Sequence, residues 1–186
     1  MSNNESLKIS YFADASQTRV LSWVNFFIAK GWQVDLYSHS KPPQGYKLSE
    51  TVNLKHLSCP VKYPFSYLAF VLLIPHFLFN RPSLIHAVNF SDYGVLGALL
   101  RRLLRIKPLA VTAIGKDVFK DAKTHNGWSI KHTARLAELI TCTEEKEVKA
   151  LVEMGTPPQR IKIIKNGSAE DMLALENLYI EIIEKA

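Results

Sequence analysis

The chain has 186 residues, 47% hydrophobic and 22% charged; this is ordinary globular composition, enough for one well-buried core and too short for two complete domains. Its 23 Lys and Arg against 17 Asp and Glu give a net charge of +6, which favours anionic partners such as phosphates or an anionic membrane surface. No dense basic block is present, and the tightest group is Arg101, Arg102 and Arg105, so nucleic-acid binding is not expected.

The opening MSNNESLKISYF is polar and then strand-like, unlike a signal peptide. A first strand is expected over 7–13. It leads through Asp14-Ala15-Ser16-Gln17-Thr18-Arg19 into a helix over 17–30. Ser16 is placed to cap that helix, and Gly31 to end it in a left-handed turn. Free amides and the positive end of the helix dipole make Asp14, Ser16, Gln17 and Arg19 a candidate contact for phosphate or substrate, although ordinary helix-start chemistry uses the same residue types. Strands follow at 34–38 and 52–57. Cys59 and Cys142 form no Cys-x-x-Cys and have no His at ligand spacing. They read as small buried hydrophobes in a reducing compartment, which with the polar start points to a cytoplasmic protein.

Residues 63–79, YPFSYLAFVLLIPHFLF, are nearly free of charge. The run is shorter than the roughly 20 residues of a membrane span and contains Pro75 and His76. Two readings stand. One is a helix over 65–79 buried against a sheet; the other is a helix in the membrane interface, with Phe65, Tyr67 and Phe70 in the lipid and Lys62 and Arg81 at the headgroups.

A fourth strand at 83–88 carries His86, expected as a satisfied core residue more than as a base. After it, Asn89-Phe90-Ser91-Asp92-Tyr93-Gly94 enters a helix over 92–106; Ser91 or Asp92 would cap it, and Asn89, Ser91 and Asp92 could bond ligand hydroxyls. A fifth strand at 109–113 precedes Gly115-Lys116-Asp117. There glycine permits close backbone approach, while Lys116 and Asp117 offer a cation and a carboxylate; the alternative is a turn with Asp117 capping a short helix. A helix at 129–137 and a strand at 138–142 follow. Thr143 and Glu144 then combine a cap with a carboxylate ahead of a helix at 144–154, which Gly155, Pro157 and Pro158 close. The last strand is expected at 161–165.

Short apolar runs alternating with helices make an α/β domain: a mostly parallel, seven-stranded sheet with helices on both faces. Ligands in such sheets bind outside the carboxyl ends of the strands. There is no G-x-G-x-x-G, no phosphate-binding G-x-x-x-x-G-K-[ST], no Ser-His-Asp set, Cys-His pair or metal cluster. No catalytic residue is assigned, and neither a metal nor a resident cofactor is expected.

Four stretches, in order, resemble the amino-terminal domain of group-1 (GT4-type) retaining glycosyltransferases. AKGWQVDLYS resembles that family's first-helix exit and second strand, with Trp32 in place of a usual His. RPSLIHAVNFSDYGVLGALL resembles its Asp-x-x-His-x-His stretch, with Ser83 and Val88 at two of those places. PLAVTAIGKDVF resembles its Pro-x-x-x-T-x-x-Gly-Ser-Asp stretch, with Lys116 where Ser is common and Ile114 where many members have a His that touches the transferred sugar. AELITCTEEKEVKALVEMGTPPQRIKIIKNG resembles the passage into the second domain. The resemblance runs from Lys8 to Gly167 and implies one Rossmann-like half of a two-domain GT-B fold. It also implies a sugar, glycolipid or polysaccharide-type acceptor held by this half, with a nucleotide sugar as co-substrate on the other. The donor-side Glu pair has no counterpart, so the chain alone is expected to be inactive. Residues 168–186 resemble the helix that closes the family's fold. Together these features suggest an acceptor domain over 1–167, a helix packing back on it, and a second domain that has been removed. Enzymes of the group often work at a membrane, which adds the inner membrane face to the expected location. A face normally covered by the second domain would favour self-association.

Overall fold

The computed structural model describes residues 6–58, 66–119, 127–165 and 167–186. Cys59, Lys62 and Phe65 therefore lie outside the described residues, as do the side chains of Lys116 and Asp117. In chain order the elements are β1 (Lys8–Phe12), α1 (Thr18–Ala29), β2 (Gln33–Ser38), β3 (Asn53–His56), α2 (Ser66–Phe79), β4 (Leu84–Val88), α3 (Tyr93–Leu103) and β5 (Leu109–Thr112). They continue with α4 (Gly115–Phe119), α5 (Gly127–Leu136), β6 (Leu139–Cys142), α6 (Glu145–Glu153), a 3-10 turn (Pro158–Arg160), β7 (Ile161–Ile163) and α7 (Ala169–Glu184). The sheet order is β3-β2-β1-β4-β5-β6-β7, and every described pairing is parallel.

Alternate side chains along each strand feed two cores. Ile9, Tyr11, Leu84, His86, Ala110 and Leu139 face α1 and α7, whereas Phe12, Ile85, Ala87, Val111 and Ile140 face α2, α3, α5 and α6. Connection handedness explains the split. The chain steps from β1 to β2 in one direction and from β3 onward in the other. Right-handed crossovers therefore put α1 on the first face and the later helices on the second. Among the described residues no crossover helix covers the first face of β4 to β7. Helix α7 fills that vacancy, burying Met172, Leu175 and Tyr179.

Specific polar contacts fix α7 in place. Ser168 caps it by accepting from the Asp171 amide at 3.2 Å. Trp32 donates through Nε1 to Glu176 at 3.2 Å, and Lys30 pairs with the same carboxylate at 3.2 Å. The Tyr179 hydroxyl bonds His86 Nδ1 and lies 3.3 Å from the Tyr11 hydroxyl. On the other side of the ring, His86 Nε2 bonds Thr112 Oγ1 at 2.7 Å, and Thr112 bonds Thr141 at 2.7 Å. His86 is thus a satisfied core residue. Burial, helped by the Arg19 charge, pushes its pKa down to about 3, so it is neutral at physiological pH.

Helix α2 runs through Pro75, and its two sides differ. Ala69, Phe70 and Phe77 are buried against the sheet, so Phe70 is a core residue rather than a surface contact; Tyr67 is exposed. Among the described residues no helix is long and apolar enough to cross a membrane.

Candidate functional site

The sheet order reverses direction between β1 and β4, so the loops that leave them diverge; in open parallel sheets the crevice beyond such carboxyl ends is where ligands bind. The loop after β1 is organised by Asp14, whose Oδ1 accepts from the Ser16 amide at 2.9 Å while its carbonyl accepts from the Gln17 amide at 3.1 Å. Ser16 does not cap α1. Gln17 occupies the cap position, without a side-chain bond to the helix. The reason is geometric: Asp14 forms an Asx turn that aims the chain into the helix two residues later. Arg19 lies folded over Trp23, with its guanidinium 5.1 Å from the ring centroid.

The loop after β2 joins this one. Ser38 Oγ accepts from the amides of Ala15 at 2.9 Å and Ser40 at 3.0 Å. The next residue, His39, is exposed, with Nδ1 2.5 Å from the Tyr93 hydroxyl and its ring stacked on the Tyr93 ring at 5.8 Å. Burial and the nearby Asp14 and Asp92 charges push the Tyr93 hydroxyl up to about 12, so it remains protonated. Burial would raise the Asp14 carboxyl, but hydrogen bonds from Ser16 and Ser40 and the His39 charge outweigh it and hold it below its ordinary value. A carboxylate acceptor and an imidazole thus stand together at the crevice.

After β4, Asn89 adopts a left-handed conformation with φ 86°. Its Oδ1 accepts from the amides of Asp92 at 3.1 Å and Tyr93 at 3.0 Å. Asn89 is therefore the side chain that caps α3, in place of Ser91 or Asp92, and Ser91 is buried. The turn at that φ brings Asn89 Oδ1 within reach of both amides. Gly94 keeps the turn tight, because a Cβ there would stand 2.5 Å from the Asn89 carbonyl oxygen.

Further along the edge, Gly115 opens the short helix α4, so Asp117 lies within that helix and not at its cap. Glu144 sits at the start of α6, half exposed and paired with Lys146. The buried carboxylate here is Glu147, 2% exposed. Its Oε2 accepts from the Thr143 amide at 2.7 Å, the Thr143 hydroxyl at 3.1 Å and the Glu144 amide at 3.1 Å. A Cβ on Gly115 would stand 3.2 Å from Glu147 Oε1. This carboxylate fixes the β6 loop, and a side chain at position 115 would press on it.

Sequence reasoning missed His39, Tyr93 and Glu147. The signal for His39 was positional, since it directly follows a strand at the carboxyl edge. For Glu147 it was an acidic residue in the third helical position after Glu144, the spacing of a reciprocal cap. No group of three His, Cys, Asp or Glu that could hold a metal ion occurs among the described residues.

The glycosyl transferase 4-like family matches residues 8–144, most of the chain and the edge just described as far as Glu144. The chain belongs to that family. No curated protein matches it. A sucrose-phosphate synthase chain from Thermosynechococcus elongatus superposes with TM-score 0.68 at 16% identity, over 94% of this chain and 98% of that one. Anabaena HepE in complex with UDP-glucose gives 0.61 at 14% identity, over 86% and 44%. UDP-N-acetylglucosamine 2-epimerase from Rickettsia bellii gives 0.60 at 12% identity, over 94% and 48%. At these identities the likeness to solved structures is one of fold, and the chain spans about half the length of the epimerase and of HepE. The architecture fits the amino-terminal half of the GT-B fold.

Proposed function

We propose that this chain is the acceptor-side half of a retaining glycosyltransferase that moves a sugar from a nucleotide sugar onto a glycolipid or polysaccharide-type acceptor. The observation that carries this reading is the group of side chains gathered at the switch point between β1 and β4. Family membership is joined there to a carboxylate, an imidazole and a protonated tyrosine on three adjoining loops. Asp14 accepts hydrogen bonds from acceptor hydroxyls; His39, through the nitrogen not turned to Tyr93, bonds a further hydroxyl. Tyr93 and Ser38 hold that imidazole and that loop in position. The donor, a nucleotide sugar of the kind bound by HepE, is assigned to a second domain. Alone, this half is inactive, because positioning both substrates supplies about 7–11 kcal/mol of the barrier.

Saturation-transfer NMR with a panel of mono- and oligosaccharides tests the crevice. Asp14→Asn keeps the Asx turn, and His39→Ala removes an exposed ring that stacks on Tyr93 and bonds its hydroxyl, so an unchanged melting temperature is required of both variants. Each is expected to weaken saccharide binding about tenfold, the worth of a charge-assisted hydrogen bond. Binding that survives both substitutions unchanged would place the acceptor elsewhere. A second reading, a non-catalytic binding or peripheral-membrane module on the same fold, is favoured by a separate observation, the exposed side of α2.

A further inference from the structure

The helices that cover the second face of the sheet are themselves bare on the outside. On α2 the residues Tyr67, Leu68, Val71, Leu72, Leu78 and Phe79 are exposed, Leu72 by 60% and Phe79 by 87%. They recur at helical spacing as one stripe opposite Ala69, Phe70 and Phe77. Leu103 of α3 and Trp128 of α5 add further exposed apolar surface on the same side. Between the three helices lies a groove of about 220 Å³ walled by Tyr67, Leu99, Leu103 and Trp128. Arg102 and His132 line it too, together with Thr133, whose buried hydroxyl has no hydrogen-bond partner among the described residues. Globular surfaces rarely leave so much contiguous apolar area uncovered.

Charge selects the occupant. Helices α2, α3 and α5 contain no Asp or Glu, while Arg81, Arg102, Arg105 and Lys131 are exposed on or beside them. A second copy pairing through the same face would bring these cations against one another. A domain seated on the carboxyl edge of the sheet would not reach Phe79, which lies at the far end of α2, close before the amino end of β4. An anionic bilayer matches both the apolar stripe and the cations.

We propose that this face docks on an anionic lipid bilayer, with α2 in the interface, Leu68, Leu72 and Phe79 among the acyl chains, and Arg102 at the phosphates. The inference is independent of whether the crevice holds a saccharide acceptor.

Trp23 and Trp32 are 3% and 7% exposed and Trp128 66%, so tryptophan emission reports on this face. The intact chain is mixed with vesicles of phosphatidylcholine containing about 30% phosphatidylglycerol, at low salt, and with pure phosphatidylcholine vesicles. Co-sedimentation with the anionic vesicles and a blue shift of emission are expected, with binding at least about tenfold weaker to the neutral ones. The double substitution Leu68→Glu, Leu72→Glu changes only exposed positions. It should weaken binding about tenfold or more at an unchanged melting temperature. Trp128→Phe should remove the emission shift and keep co-sedimentation. The proposal is overturned by failure to bind anionic vesicles, or by equal binding of the double variant. A lipid-free dimer that the same double variant dissociates would also overturn it, since the face would then belong to a second copy.

Discussion

Buried hydrogen bonds decide the effect of single residues here. Tyr179→Phe leaves His86 Nδ1 without a partner inside the core, and should cost about 1–3 kcal/mol in denaturant unfolding. The same histidine makes stability depend on pH. Its folded pKa of about 3 lies below the ordinary 6.5, so between these values the unfolded chain binds the extra proton. Stability is therefore full above about pH 6.5 and is lost progressively as pH falls toward 3. His86→Gln should flatten that part of the profile; an unchanged slope would mean other groups govern it. Asn89→Ala removes the cap of α3 and puts alanine at φ 86°, so a loss of about 1–2 kcal/mol is expected in the same assay. At this scale the sequence was partly legible. His86 reads as core because its strand is apolar. The caps were misassigned, because Asp14 and Ser16, or Asn89, Ser91 and Asp92, are near-equivalent capping residues until the path of the loop is known.

Whole elements were far more legible, for a physical reason. Strands covered on both faces are continuous apolar runs, and β1, β4, β5 and β6 are among the most deeply buried segments of the chain. Helix α2 shows the limit: apolar on all sides, it carries no pattern that tells its inner from its outer face. Phe70 and Tyr67 look alike in the sequence and are buried and exposed in the fold. The segment after β2 has no periodicity to mark it, which is why His39 escaped. Helix α7 carries the clearest prediction at this scale. Leu175 is fully buried under the half of the sheet that no crossover protects. Leu175→Ala should lower stability by about 2–5 kcal/mol in chemical denaturation, whereas Leu173→Ala, at an exposed position, should change it little.

At the scale of the whole molecule, a seven-stranded parallel sheet reverses direction between β1 and β4, and its family match places it among glycosyl transferase 4-like proteins. The ordered series of strand ends made that legible. What the crevice holds was not, because His39 and Tyr93 meet Asp14 only after three loops converge. If these residues form the acceptor side, as proposed, the nucleotide sugar belongs to another domain. Thermal melting of the intact chain with UDP-, GDP- and ADP-sugars tests it directly. A ligand at a hundred times its Kd stabilises the folded state by about 2.7 kcal/mol, several degrees for a chain of this size. No shift is expected with any of the three, while a saturable rise with one of them would put a donor site within these 186 residues and overturn the acceptor-side assignment.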